Sequence, residues 1–248
     1  MADLVRITKL MSERGMCSRR EAERLIDAGA VMVDGQVVRE QGVKATRTAD
    51  IQISGRGANW MANKVTVVLN KPMGIVSTQP EGEQVAAWTL LTAERLHGRA
   101  DEAADRVMAN PYYLNVAGRL DRDSHGLLVL STDGLVVKAI TGGSEVAKTY
   151  LVRVDGQPSE DQISRLRGKL VLDGKKLRPM AVTRAGRDRL RFELTEGRKH
   201  QIRRVCQLVG LEVVDLQRTA VGAWKLDDLP SGHWRVVPQA EVAKLITP

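Results

Sequence analysis

A carboxylate set among arginines, where a polar turn enters an apolar run, is the first chemistry legible in this chain. Residues 118–130 read Gly-Arg-Leu-Asp-Arg-Asp-Ser-His-Gly-Leu-Leu-Val-Leu, a turn leading directly into a strand. Arg119 and Arg122 flank Asp121, and nearby positive charge favours the ionised form of a carboxyl group. Such a group at the mouth of a strand can serve as nucleophile or base. Asp121 with Asp123 would also satisfy the composition of a glycosidase-like pair, although nothing else in the chain speaks for a sugar site. The plainer reading is that both aspartates only shape the turn.

Two further segments carry reactive side chains. Across residues 148–154, Tyr150, Val152 and Val154 alternate onto one strand face, which sheet packing alone would explain. In residues 196–204, Arg198, Lys199, Arg203 and Arg204 place four basic side chains in seven positions ahead of a helix. A cluster of this kind binds phosphate, or one member pairs with a buried carboxylate. The charge balance agrees with an anionic partner. The chain carries 38 Lys and Arg against 30 Asp and Glu, a net charge of +8, with a pI near 9.7. Residues 175–204 alone hold eleven basic and three acidic side chains, and so concentrated an excess points to a polyanion, most often nucleic acid. A solvated basic face without a ligand is the bland alternative. Four Trp, three Tyr and one Phe are too few for a platform that stacks many bases.

The elements that must hold these groups divide into two parts. In the first, Ile7, Leu10 and Met11 mark one face of a short helix that Gly15 ends. Ser18-Arg19-Arg20-Glu21 has capping-box spacing and opens a second helix, with Ala22, Leu25 and Ile26 inward and Gly29 as its stop. Asp34-Gly35 between Val31-Met32-Val33 and Gln36-Val37-Val38 predicts a hairpin. Arg6, Lys9, Arg14, Arg19, Arg20 and Arg24 give this module a basic surface, unless its glutamates pair with them. Residues 54–63 lack periodicity and read as a linker, so the expected division is a module at 1–56, a linker at 57–63 and a second domain at 64–248. In that domain strands are expected at 65–69, 127–131, 149–154, 189–194 and 212–216. One or two helices are expected within 81–110, and a helix closes before Gly210. The mixture predicts an α+β domain on a largely antiparallel sheet with flanking helices.

Other classes are excluded. The longest apolar runs are far too short to span a bilayer, and the first residues lack the apolar stretch of a signal peptide, so a cytoplasmic chain is expected. Cys17 and Cys206, 189 positions apart, offer neither metal-site spacing nor a disulfide framework.

Two resemblances give these segments a context. Residues 5–53, through Ile7-Thr8-Lys9-Leu10-Met11, Gly15-Met16-Cys17-Ser18-Arg19-Arg20-Glu21-Ala22 and Val33-Asp34-Gly35, resemble the small RNA-binding module first known from a ribosomal small-subunit protein, the S4 type. Five ordered motifs resemble the RsuA/RluF branch of pseudouridine synthases. They are Leu69-Asn70-Lys71-Pro72-Met73-Gly74, Gly118-Arg119-Leu120-Asp121, Lys148-Thr149-Tyr150, Gln201-Ile202-Arg203-Arg204 and Leu216-Gln217-Arg218-Thr219-Ala220-Val221-Gly222. The resemblance implies isomerisation of a uridine in ribosomal RNA, expected to be the large-subunit (23S) species, by a monomer needing neither cofactor nor metal. Small-subunit rRNA or tRNA is the alternative substrate, and a non-catalytic RNA-binding assembly factor the alternative function. It implies that Asp121 is the catalytic aspartate, that Tyr150 stacks on the target uracil and helps move the C5 proton, that Arg203 pairs with Asp121, and that Arg119 displaces the target base. With the module's six basic residues, Lys71, Arg198, Lys199, His200, Gln201 and Arg204 are expected to contact RNA. Residues 81–116 are longer than the family's usual connection, and the lysine-rich tail of some relatives is missing.

Overall fold

The computed structural model describes residues 3–142 and 146–246, so both ends of the expected domain spans lie outside the described residues. The N-terminal module begins with β1 (Leu4–Arg6), α1 (Ile7–Glu13) and α2 (Arg19–Asp27). Ser18 caps α2 as expected. Its hydroxyl accepts the Glu21 N–H, and the Glu21 carboxylate accepts the Ser18 N–H at 2.6 Å. Ile7, Leu10 and Met11 bury against Ala22, Leu25 and Ile26. Asp34 and Gly35, at φ 49° and 80°, turn β2 (Val31–Val33) into β3 (Gln36–Val38), because a tight hairpin needs positive φ at both central residues. β4 (Lys44–Thr46) pairs with β1, and β5 (Ile51–Ile53) pairs with the far side of β2.

The expected linker is a helix. Residues 55–62 form α3 (Gly55–Ala62), which lies against the module. A Cβ on Gly57 would stand 2.8–2.9 Å from side chains of Ala30, Ile53 and Leu25, and Met61 packs on the same core. Close approach at a glycine fixes this helix, and a pattern of apolar residues does not register a glycine contact.

The second part is built on a mixed nine-stranded sheet. Its strands are β6 (Thr66–Lys71), β7 (Asn115–Ala117), β8 (His125–Ser131), β9 (Lys148–Val154), β12 (Ala181–Arg184), β13 (Arg189–Leu194), β14 (Val213–Val221), β15 (Trp224–Lys225) and β16 (Trp234–Val236). The order is β12-β13-β9-β14-β8-β6-β16, with β15 added to β14 and β7 to β8. Every pairing is antiparallel except β14 with β8. A separate small hairpin joins β10 (Val171–Leu172) to β11 (Lys175–Lys176). Flanking helices are α4 (Glu102–Ala109), α5 (Gly134–Thr141), α6 (Glu160–Arg167), α7 (Gln201–Leu208) and α8 (Gln239–Ile246). Between 81 and 110 the chain makes two short 3₁₀ turns and then α4, the one α-helix of the one or two expected there. The strand expected at 212–216 continues to Val221, carrying Leu216, Arg218 and Ala220 in its buried row. Among the described residues no helix is long and apolar enough to cross a membrane, and both cysteines are buried and free.

The sheet forks at β8. β6 pairs with one side of that strand throughout, from Lys71 opposite Gly126 to Thr66 opposite Ser131. The other side is shared: β14 takes His125 and Gly126, while β7 takes Val129 to Ser131. In the gap, the Leu127 carbonyl accepts a hydrogen bond from Arg218 Nε at 2.7 Å, and Arg218 Nη2 donates to the Gly118 carbonyl at 2.9 Å. One buried guanidinium therefore closes the apex of the fork.

At that apex Gly126 has φ 103°, and a Cβ there would run into the Arg218 backbone. Gly126→Ala should cost roughly 3 kcal/mol or more of folding free energy, combining backbone strain with a steric block to pairing. Denaturant unfolding of the variant beside the wild type measures it.

Candidate active site

Between the arms of the fork opens a cavity of about 540 Å³, a size in the usual range for small-ligand sites. Val116, residues 118–121 and Ser124 line it together with Lys148, Tyr150, Leu216 and Arg218. Ile140 and Thr141, at the end of α5, and residues 194–202 complete the wall. Asp121 lies in this cavity with its side chain half exposed, and its Oδ1 stands 3.8 Å from His200 Nε2. Tyr150 presents a partly buried ring, packed against the apolar clusters on both sides of it. Arg119 is exposed at the rim.

Two buried cations, Lys148 and Arg218, line the cavity, and a third, Lys71, lies within electrostatic reach of Asp121. Arg218 is 2% exposed and Lys71 is fully buried, with its ammonium donating to the Pro72 and Ile75 carbonyls at 2.9 and 2.8 Å. Burial pushes Lys71 down to about 8, against an upward pull from Asp121 and Asp123. Lys148 donates to the Ile140 carbonyl at 2.7 Å, and burial pushes it also to about 8, helped by the charges of Arg218 and Arg178. His200 holds φ 52°, a conformation costly for a residue with a side chain, at the N-terminus of α7. Strain of this kind in a cavity wall suits a side chain that must point at a ligand.

The structure redistributes several expected roles. Arg203 meets Asp123, not Asp121: Nη2 lies 3.1 Å from Asp123 Oδ2 and 2.9 Å from the Asp123 carbonyl, while Nη1 reaches the Val213 carbonyl. The turn is closed by Ser124 N–H onto the Asp121 carbonyl, and its two carboxylates have different partners, His200 for Asp121 and Arg203 for Asp123. Lys71 is buried away from any RNA. Gln201 is buried too, and its amide group ties the start of α7 to the preceding loop by accepting the Arg198 N–H and donating to Glu196. Arg198 donates to carbonyls of Leu172, Lys175 and Lys176, holding the β10–β11 hairpin. Arg204 is paired with both oxygens of Asp173 at 2.6 and 2.9 Å. In the module, Arg14 is engaged by the Ala49 and Arg47 carbonyls, and Lys9 stands 3.6 Å from Glu13. Arg6, Arg19, Arg20 and Arg24 are exposed, as is Lys199 at the cavity wall.

Arg218 and Lys148 were missed as site residues. For Arg218 a signal existed, since alternation from Leu216 and Ala220 puts it on the buried face of its strand. An arginine there must serve several acceptors.

Comparisons with known proteins give the family and the fold. The profile described as RNA pseudouridylate synthase matches residues 65–208, and that of the S4 domain matches residues 5–51. An uncharacterized RNA pseudouridine synthase of Aquifex aeolicus is 31% identical over 243 residues, covering 97% of this chain and 96% of its own. The dual-specificity RNA pseudouridine synthase RluF of Salmonella typhi is 34% identical over 243 residues, covering 97% and 78%. A crystal structure titled pseudouridylate synthase superposes with a TM-score of 0.63 at 24% identity, covering 97% of this chain and 99% of that one, a likeness of fold.

The buried lysine makes a measurable prediction. From about pH 8 to 10.5 the unfolded chain keeps a proton on Lys71 that the folded chain has released, so this residue makes stability rise with pH there. Below that window both states are protonated and its contribution is constant. Lys71→Met lacks the effect. Between about pH 7.5 and 10 its unfolding free energy should fall behind the wild type by roughly 1–2 kcal/mol, given 1.4 kcal/mol per unit at most. Denaturant titrations at each pH read the difference.

Proposed function

Because this chain belongs to the RNA pseudouridylate synthase family, with an S4 domain ahead of the catalytic domain, we propose that it isomerises a uridine of large-subunit ribosomal RNA, acting as a cytoplasmic monomer. The observation that carries the reading is the cavity at the fork, which joins one half-exposed carboxylate, one aromatic face and the buried cations Lys148 and Arg218. The reaction breaks the C1′–N1 bond of the nucleotide, forms C1′–C5, and moves a proton from C5 to N1. Nothing is oxidised and no group leaves, so a carboxylate and a proton carrier suffice.

The target base must leave its stack before the glycosidic bond is within reach. Arg119 at the rim takes the place of the displaced base, and the uracil enters the cavity against the Tyr150 ring. Asp121 meets the nucleotide as C1′–N1 opens, and the Tyr150 hydroxyl helps carry the C5 proton. Arg203 acts at one remove, fixing the turn that presents Asp121 by holding Asp123. Arg6, Arg19, Arg20 and Arg24 of the module, with Lys199 and His200 beside the cavity, contact the RNA. Phosphate contacts of this kind supply affinity and register, while the cavity supplies chemistry. The choice of ribosomal RNA rests on the motif resemblance to the RsuA/RluF branch. The dual specificity named for the RluF relatives makes tRNA the second substrate to assay.

Asp121→Asn should lower pseudouridine formation by at least about 10³-fold while RNA affinity changes little. Pseudouridine mapping of cellular RNA with and without the gene identifies the target, and wild-type turnover by this variant would refute the mechanism. Tyr150→Phe keeps the stacking face and loses the hydroxyl. Its single-turnover rate should fall by about 10²-fold, and an unchanged rate would leave Tyr150 as packing alone. Replacing Arg20 and Arg24 together by alanine should flatten the plot of log affinity against log salt by about two counterions.

A further inference from the structure

The module and the catalytic domain share a buried ionic node. Glu21 is 4% exposed. Its Oε2 accepts the Ser18 N–H, and its Oε1 accepts both the Gly134 N–H at 3.0 Å and the Lys64 ammonium at 2.9 Å. The same ammonium, 6% exposed as a residue, reaches Asp133 Oδ1 at 3.1 Å, and that oxygen also accepts the Leu135 N–H at the start of α5. Two carboxylates and one ammonium thus meet two helix N-termini, those of α2 and α5. Each terminus contributes about half a positive charge, so the node is close to neutral while closed. Removing either partner while the contact stays closed would leave a buried ionised group uncompensated.

The contact also resists rotation. A side chain on Gly134 would collide with Ser18 and Glu21, so α5 begins with the glycine that close docking requires. One turn further along the same face, Lys138 Nζ donates to Ser12 Oγ at 3.3 Å. The connection has no slack either. α3 is packed on the module, Lys64 follows within two residues, and Val65 is hydrogen-bonded to Thr132 of the second domain. From the node, α5 runs about 10 Å to Ile140 and Thr141 in the cavity wall. Arg19 and Arg20 start the helix at the other side of the node.

We propose that Glu21 and Lys64 lock the S4 module at a fixed distance and angle from the cavity, so that the enzyme selects RNAs whose module-bound element stands at one set position from the target uridine. This rests on the reading of the module as an RNA-binding unit. Glu21 and Lys64 are positioning residues, acting through the placement of α2. Specificity then has a geometric component that neither domain holds alone, and an RNA with the correct target loop on a displaced flanking helix is rejected.

The test uses the full chain. Glu21→Gln keeps the capping bond to Ser18 and gives up the charge facing Lys64. Lys64→Met is the second variant, and thermal unfolding checks that both are folded. Small-angle scattering should show one compact form for the wild type and a more extended profile for either variant. Single-turnover rates are then compared on a native rRNA fragment and on fragments with one base pair inserted or removed between the target loop and its flanking helix. The wild type should lose about tenfold or more on the altered fragments, because displaced reacting groups are that costly. The variants should be slower on the native fragment and nearly indifferent to the spacing. An extended wild-type profile, or variants with undiminished spacing dependence, would overturn the lock. Affinity insensitive to Arg20→Ala in an otherwise compact protein would overturn the module's RNA role and the selection with it, a failure that scattering keeps distinct from loss of the lock.

Discussion

The catalytic half of this protein depends on two hydrogen bonds from one buried arginine. A strand that parts from its neighbour inside a sheet leaves backbone carbonyls without partners, and such groups are not tolerated in a core. At the fork of β8 the orphan is the Leu127 carbonyl, and the next element across the gap offers the Gly118 carbonyl. A planar guanidinium with donors in fixed directions can serve both, whereas a lysine would serve as a point charge. Arg218 therefore lets the sheet open in its middle, where flanking strands and helices make the opening rigid. The turn bearing Asp121 begins at the carbonyl that Arg218 holds. The position of the carboxylate is thus inherited from the geometry of the fork.

Much of the module was legible because its signals are local. A capping box is complete within four residues and an Asp-Gly hairpin within eight, so each can be read without knowing what packs on it. α3 was not legible because its reason for existing lies in the contacts of Gly57 with Leu25, Ala30 and Ile53, up to 32 positions away in sequence and outside the helix. The same contrast separates the two aspartates of the site turn. Their chemistry and their arginine neighbours are visible in sequence, but which one Arg203 reaches depends on the turn closed by Ser124. Lys71 shows the limit most sharply. Its motif resemblance suggested an exposed contact, while the fold buries it under the loop whose carbonyls it binds.

The basic segment at 175–204 carries a related lesson. Its charge excess pointed correctly to an RNA enzyme, yet Arg198 and Arg204 are turned inward onto the β10–β11 hairpin and its turn. Arg184 is likewise held by Glu160 and the Pro158 carbonyl. Counting charges along a chain measures the supply of cations, and only packing decides how many remain for a ligand. In this cavity the buried cations come from outside that segment, since Lys148 and Arg218 line its wall.

Lys148 shows what such placement achieves. α5 points its C-terminal end at the cavity wall, and the negative pole of a helix repels anions. The Lys148 ammonium binds the Ile140 carbonyl and reverses the sign of that end. Lys148 lies two positions before Tyr150 on β9, so one short strand delivers both the aromatic wall and the charge that makes it approachable. The cavity wall at that helix end therefore carries an ammonium where the helix alone would present its negative pole.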